Sequence, residues 1–247
     1  ADPLDVERGL RMVADADFVF AGPGSPSYAL RQWHGSAVSD LLAAKLRTGG
    51  TVTFASAAAL TLGCRTLPVY EVYKAGVEPH WLEGLDVLST IGVSAAVVPH
   101  YNNAEGGHHD TRFCYMGERR LSELERALPD GAWVLGVDEH TAVVIDLDQG
   151  DVRVEGKGVL TIRTQSGSRT WPSGSVLELA QLQQPDAVGD GGASRPNVAA
   201  PQRGAASPAA GVADVETDAS LRAATDRLAA AFDASLAAGD ADGAARC

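Results

Sequence analysis

Short apolar strands alternate with helices along most of this chain, and that alternation narrows its possible folds more than any other feature. Phe18-Val-Phe-Ala21 is a buried-strand pattern that stops at Gly22-Pro-Gly-Ser-Pro26, a turn dense in structure breakers. Tyr28–Trp33 and Ser36–Arg47 read as helices, the second with Leu41, Leu42 and Leu46 at helical spacing, and Gly49-Gly50 closes it. Thr51-Val-Thr-Phe54 is β-branched and aromatic, which marks a strand, and Ala57–Leu62 can open a helix directly behind it. Ala95-Ala-Val-Val98 is another buried strand, halted by Pro99, and Leu121–Leu128 is a helix closed by Pro129-Asp-Gly131. Trp133–Val137, Ala142–Leu147, Val152–Val154 and Val159–Thr164 then follow as short strands joined by Gly/Asp turns. An amphipathic helix over Leu4–Ala14 precedes all of these. The pattern predicts an α/β sandwich with a mixed sheet edge.

A chain of 247 residues has room for one substantial domain and a tail, or for two small domains. Composition changes after about Leu179: from Gln181 onward Pro185, Pro196, Pro201 and Pro208 stand among Gly, Ala, Ser and Gln, with few large apolar residues. We therefore expect a domain over 1–180, a linker over 181–217 and a helical tail over 218–247. Leu221, Leu228, Phe232 and Leu236 supply the tail's periodicity, with Asp218 or Ser220 as its cap. The chain opens on a helix that would ordinarily join two strands, so the expected sheet lacks its N-terminal strands and the chain reads as part of a longer protein.

The formal net charge of −12, without any Lys/Arg run, argues against nucleic acid as a partner. Cys64, Cys114 and Cys247 are odd in number and far apart, which supports neither a disulfide framework nor a zinc site. No apolar run is long enough to span a bilayer, and Ala1–Gly9 lacks the pattern of a signal peptide. The expectation is a cytoplasmic protein with no membrane partner, no cofactor and no metal.

Five segments could carry chemistry. In Gly50–Leu60 a strand runs into Ser56 among small residues, the layout of a nucleophile elbow. Phe54 and Ala58 stand where the G-x-S-x-G pattern has glycine, and Ser56 could instead cap the following helix. His100 lies just past a buried strand, at the sheet edge where open α/β proteins place their sites; a surface loop histidine is the competing reading. Within the same Val97–Arg112 segment, His108-His109-Asp110 offers metal-ligand types, but adjacent side chains point apart. Gly136-Val-Asp-Glu139 is an acidic turn between strands, where acids commonly just solvate the turn. Leu67–Lys74 sets Glu71 between Tyr70 and Tyr73 on what reads as a plain strand face. The Gly22–Pro26 turn would let backbone N–H groups approach a ligand.

Taken in order, Ala21-Gly-Pro-Gly-Ser-Pro26, Phe54-Ala-Ser-Ala-Ala58, Pro99-His-Tyr101, Thr111-Arg112 and Gly136-Val-Asp-Glu139 resemble the aspartyl dipeptidase and cyanophycinase family of serine peptidases. The resemblance implies a class I glutamine-amidotransferase-like fold, a three-layer α/β sandwich with a mostly parallel central sheet. It implies Ser56 as nucleophile, His100 as general base and Glu139 as the orienting acid, with Glu71 as the rival acid. It further implies an oxyanion hole from the N–H groups of Gly24 and Ala57, and Arg112 as a fork for a substrate carboxylate. The expected activity is acyl transfer from small or acidic peptides through an acyl-enzyme, with a homodimer as the expected assembly. The alternative is a lapsed member that keeps the pocket as a binding module without turnover. Glutamine amidotransfer would want cysteine at position 56, where this chain has serine.

Overall fold

The structure, a computed structural model, describes residues 2–186 and 195–196. They belong to a unit spanning Ala1–Val198, and Ala199–Cys247 forms a second unit. The expected tail over 218–247, and most of the expected linker, lie outside the described residues.

Helix α1 (Pro3–Asp15) begins at Asp2, whose carboxylate accepts the Leu4 N–H, with Pro3 in the first turn. Strand β1 (Phe18–Ala21) leads to α2 (Pro26–Trp33), capped by the Ser25 hydroxyl accepting from Tyr28 N–H. Helix α3 (Val38–Thr48) returns the chain to β2 (Thr51–Phe54), which pairs parallel with β1, Val19 opposite Val52. Leu30 and Leu42 from the two helices are buried with Leu85 and Val87 against Val19, Val52 and Phe54.

Strand β3 (Arg65–Thr66) pairs antiparallel with β4 (Leu82–Glu83) around α4 (Val69–Tyr73). Strand β5 (Ala95–Val98) pairs parallel with β6 (Trp133–Val137), and α5 (Gly117–Arg126) lies between them in sequence. The strand-rich end comprises β7 (Thr141–Asp146), β8 (Asp151–Gly156), β9 (Val159–Thr164), β10 (Gly167–Pro172) and β11 (Ser175–Glu178). Helix α6 (Ala180–Gln183) and the two-residue β12 (Arg195–Pro196) complete the order. One four-stranded sheet runs β10-β9-β6-β5, the other β12-β11-β8-β7.

Every residue of β5 is buried, which is why its sequence is a continuous apolar run rather than an alternation. Its successive side chains point to opposite faces of the sheet. Val97, with Leu135 of β6, joins a core that includes Val152, Val154 and Leu177 of the second sheet. Val98, with Val134, joins a second core with Leu121 and Leu124 of α5 and with Leu67 and Val72. Burying each such side chain contributes roughly 1.5–3 kcal/mol, so this strand pair anchors both cores. Arg163 of β9 fastens α5 to the sheet: its Nε and Nη2 each donate to a different Glu125 oxygen at 2.6 Å, and Nη2 also meets Glu118 at 2.6 Å.

The fold is mixed α/β, but several expectations need correction. Parallel pairing is confined to β1/β2 and β5/β6, which sit in different sheets, and the other described pairs are antiparallel. A mostly parallel central sheet is therefore not what the strands form. Leu67–Lys74 is no strand face; it holds helix α4, which starts behind Pro68 and buries Val69 and Val72. The helix expected over Ala57–Leu62 is only a 3₁₀ turn at Ala59–Thr61. Directly behind that turn Gly63 lies against the β5 backbone: an added Cβ would stand 2.0 Å from the Ala95 carbonyl oxygen. Ordered structure also continues past residue 180, where α6 seats the fully buried Leu182.

Candidate active site

The pairing of β1 with β2 extends one residue beyond the strands, with Ala55 N–H donating to the Ala21 carbonyl at 2.8 Å. The chain then turns so sharply that Ser56 takes a φ of +53°. A non-glycine residue in that region costs about 1–3 kcal/mol and persists only where its surroundings impose it. The elbow thus forms without its glycines. Phe54 packs edge-on against Trp33 at 6.1 Å, and Ala58 is small enough to be buried.

The Ser56 hydroxyl caps nothing; the 3₁₀ turn behind it has no side-chain cap. Ser56 Oγ instead lies 2.9 Å from His100 Nε2. His100 Nδ1 lies 3.1 Å from Glu139 Oε1, and the same oxygen accepts from Asn103 Nδ2 at 3.1 Å. A carboxylate on Nδ1 favours the tautomer with its proton there, leaving Nε2 as an acceptor for the serine hydroxyl. The Asn103 hydrogen bond holds the Glu139 carboxyl below its ordinary pKa, the His100 hydrogen bond and charge add to this, and desolvation opposes it. Asn102 Oδ1 accepts the Glu139 N–H at 2.8 Å, fixing the acid's backbone as well.

His100 itself has a φ of +51°. Its carbonyl accepts N–H groups from Asn103 at 3.1 Å and Cys114 at 3.2 Å, and Tyr101 N–H donates to the Val137 carbonyl at 3.1 Å. Phe113, Cys114 and Tyr115 form a left-handed run, at φ +59°, +54° and +69°. Phe113 N–H donates to the Tyr101 carbonyl at 2.9 Å, and the Phe113 and Tyr101 rings pack at 4.5 Å. Hydrogen bonding and aromatic packing together offset the strain of three bulky left-handed residues. Neither this run nor the two asparagines was singled out from sequence. The available signal was Asn102-Asn103 directly after the histidine, since asparagine side chains readily bond nearby backbone.

Cys114 abuts the histidine but is itself no candidate nucleophile. Burial, with a further contribution from the Glu139 charge, pushes its thiol up to about 12. Iodoacetamide at pH 8 is expected to leave Cys114 unmodified in the folded protein and to modify it after denaturation, as read by peptide mass spectrometry.

Of the residues expected to act together, Ser56, His100 and Glu139 form one continuous hydrogen-bond chain. Glu71 does not join it; it lies on α4 and makes no hydrogen bond or ion pair to His100 among the described residues. The N–H groups of Gly24 and Ala57 donate to no acceptor among the described residues, so both are free. Arg112 is clasped by Asp110 through Nε and Nη2, each at 2.8 Å, and this leaves Nη1 outside the pair. Those bonds and the Glu118 N–H hold the Asp110 carboxyl far below the ordinary carboxylate range. His108 and His109 lie exposed on the intervening loop, and no metal-holding group of three or more His, Cys, Asp or Glu occurs among the described residues. No helix among the described residues is long and apolar enough to cross a membrane.

No family model matches this sequence, and no curated protein matches it. Among solved structures, the fold is similar to that of a peptidase from an acI-B1 actinobacterium, at a TM-score of 0.53 and 19% identity. That match covers 72% of this chain and 64% of the other. A protein described as Peptidase E from Listeria monocytogenes EGD-e aligns at a TM-score of 0.38 and 13% identity, covering 68% of this chain and 64% of its own. The chain therefore spans less than two thirds of the length of either structure, and at this identity the actinobacterial likeness is one of fold.

Proposed function

We propose that the protein is a serine-type peptidase or amidase that hydrolyses small or acidic peptides by way of an acyl-enzyme. The fold would be the three-layer arrangement of the aspartyl dipeptidase and cyanophycinase family. The observation that carries the reading is the hydrogen-bond chain Ser56–His100–Glu139, built on a serine held at positive φ. In the proposed reaction Ser56 Oγ attacks the scissile carbonyl carbon while its proton passes to His100 Nε2. The Glu139 carboxylate stabilises the imidazolium through Nδ1–H, and the N–H groups of Gly24 and Ala57 receive the oxyanion. His100 then protonates the leaving amine, the C–N bond breaks, and water activated by the same histidine releases the acyl group. Arg112 would meet a substrate carboxylate with its remaining Nη1, a single contact in place of a fork.

The test is a fluorophosphonate probe, which phosphonylates an activated serine and needs no known substrate. The full chain should be labelled, and labelling should vanish in Ser56→Ala while fold and stability persist. A folded protein that takes no label would refute the peptidase reading and favour a binding module built on the same pocket. Asn103 offers a graded version of the same measurement. Asn103→Ala removes the second donor on Glu139 and is expected to slow labelling about tenfold, the scale of one charge-assisted hydrogen bond. An unchanged rate would mean that His100 and the Glu139 N–H bond to Asn102 Oδ1 hold the acid unaided.

A further inference from the structure

Four buried side-chain atoms among the described residues have no hydrogen-bond partner, and two of them, Ser27 Oγ and Glu71 Oε2, belong to residues that line one cleft. The cleft, of about 420 Å³, opens between α2, α4 and β4, with Leu30, Leu82 and Pro68 among its apolar walls. Ser27 is only 5% exposed. The Glu71 carboxylate makes neither an ion pair nor a hydrogen bond with any described residue. The three basic groups around the cleft have partners elsewhere. The Arg31 guanidinium lies 5.8 Å over the Tyr28 ring, His34 Nε2 meets the Glu83 carbonyl at 3.0 Å, and His80 Nδ1 meets the Glu78 carbonyl at 2.9 Å. Glu83 lines the same rim and adds negative charge.

A partly buried carboxylate without a donor is costly, and so is a buried hydroxyl without a partner. One group answers both: a positive charge carrying several N–H donors on a short apolar stem. Metal ions suit the cleft poorly, since no group of three or more His, Cys, Asp or Glu able to hold one is assembled among the described residues. We infer that this cleft binds a primary ammonium group, with Glu71 as its counter-ion, Ser27 as a second hydrogen-bonding partner and Leu30 and Leu82 against its stem. A free peptide amino terminus and a simple alkylamine share that chemistry.

The inference is tested on the full chain by amide chemical-shift titration at constant ionic strength. Glycinamide stands for a peptide amino terminus and propylammonium for a simple amine. Saturable shifts at Ser27 and Glu71 with either probe support the site, and tighter binding of glycinamide assigns it to a peptide terminus. Glu71→Gln should weaken binding at least about tenfold, and Ser27→Ala, should the first variant misfold, should weaken it measurably as well. Three results would overturn the site: no saturation with either probe, equal binding of N-acetylglycinamide or tetramethylammonium, or an unchanged affinity in a folded Glu71→Gln. Because no turnover is involved and binding should survive in Ser56→Ala, this outcome is independent of the peptidase reading.

Discussion

His100→Ala is expected to slow fluorophosphonate labelling of Ser56 by about 10³-fold or more, the usual loss when a serine nucleophile is deprived of its base. The expectation follows from a single contact: Nε2 is the only described side-chain partner of the serine hydroxyl, at 2.9 Å. Glu139→Gln should cost less, about 10²-fold or more, because the amide keeps the side chain's shape while removing the charge that stabilises the imidazolium. The two losses should not add. In the proposed mechanism histidine and acid act as one unit, so the double variant should label no more slowly than His100→Ala alone. Additive losses in the double variant would mean that Glu139 acts on Ser56 by some route other than the imidazole.

Gly84→Ala is expected to destabilise the protein by about 3 kcal/mol or more, measured by chemical denaturation with the slope of the transition unchanged. The added Cβ would sit 1.9 Å from the Gly63 carbonyl oxygen, and Gly63 in turn lies against β5. Gly84 N–H donates to the Cys64 carbonyl at 3.1 Å, and Cys64 N–H to the Ala95 carbonyl at 3.0 Å, so three backbone segments are stacked without any side chain between them. Neither glycine has a positive φ, which makes the cost one of space and not of conformation. A loss under 1 kcal/mol would mean that the segments can part, and that the turn behind Ser56 is not held in the way described.

These close approaches explain why the sequence was legible only in places. Runs such as Ala95–Val98 and Trp133–Val137 could be read because a strand buried on both faces leaves an unbroken apolar signature. The region between Ser56 and β5 could not. Its β3 and β4 are two residues each, too short for any periodicity, and the β propensity of Val69-Tyr-Glu-Val-Tyr73 yields to helix where Val69 and Val72 find a core. Pairing direction was equally hidden, since β9 and β10 are apolar or polar according to their neighbours and not according to the sense in which they run. At the site, Ser56, His100 and Glu139 stood at ends of readable strands, where turn chemistry exposes a side chain. Asn103 did not: asparagine in a glycine-rich loop looks like turn chemistry, and its bond to Glu139 spans 36 residues.

The left-handed run of Phe113, Cys114 and Tyr115 carries a consequence for how the site fails. Its strain is offset partly by the hydrogen bonds that the carbonyls of His100 and Tyr101 accept from it. Loosening the run therefore frees the histidine in the same event, and a histidine that leaves its place removes part of what keeps the run wound. Readiness for chemistry and local fragility are then one quantity in this molecule, set by the same few bonds, and neither can be tuned without moving the other.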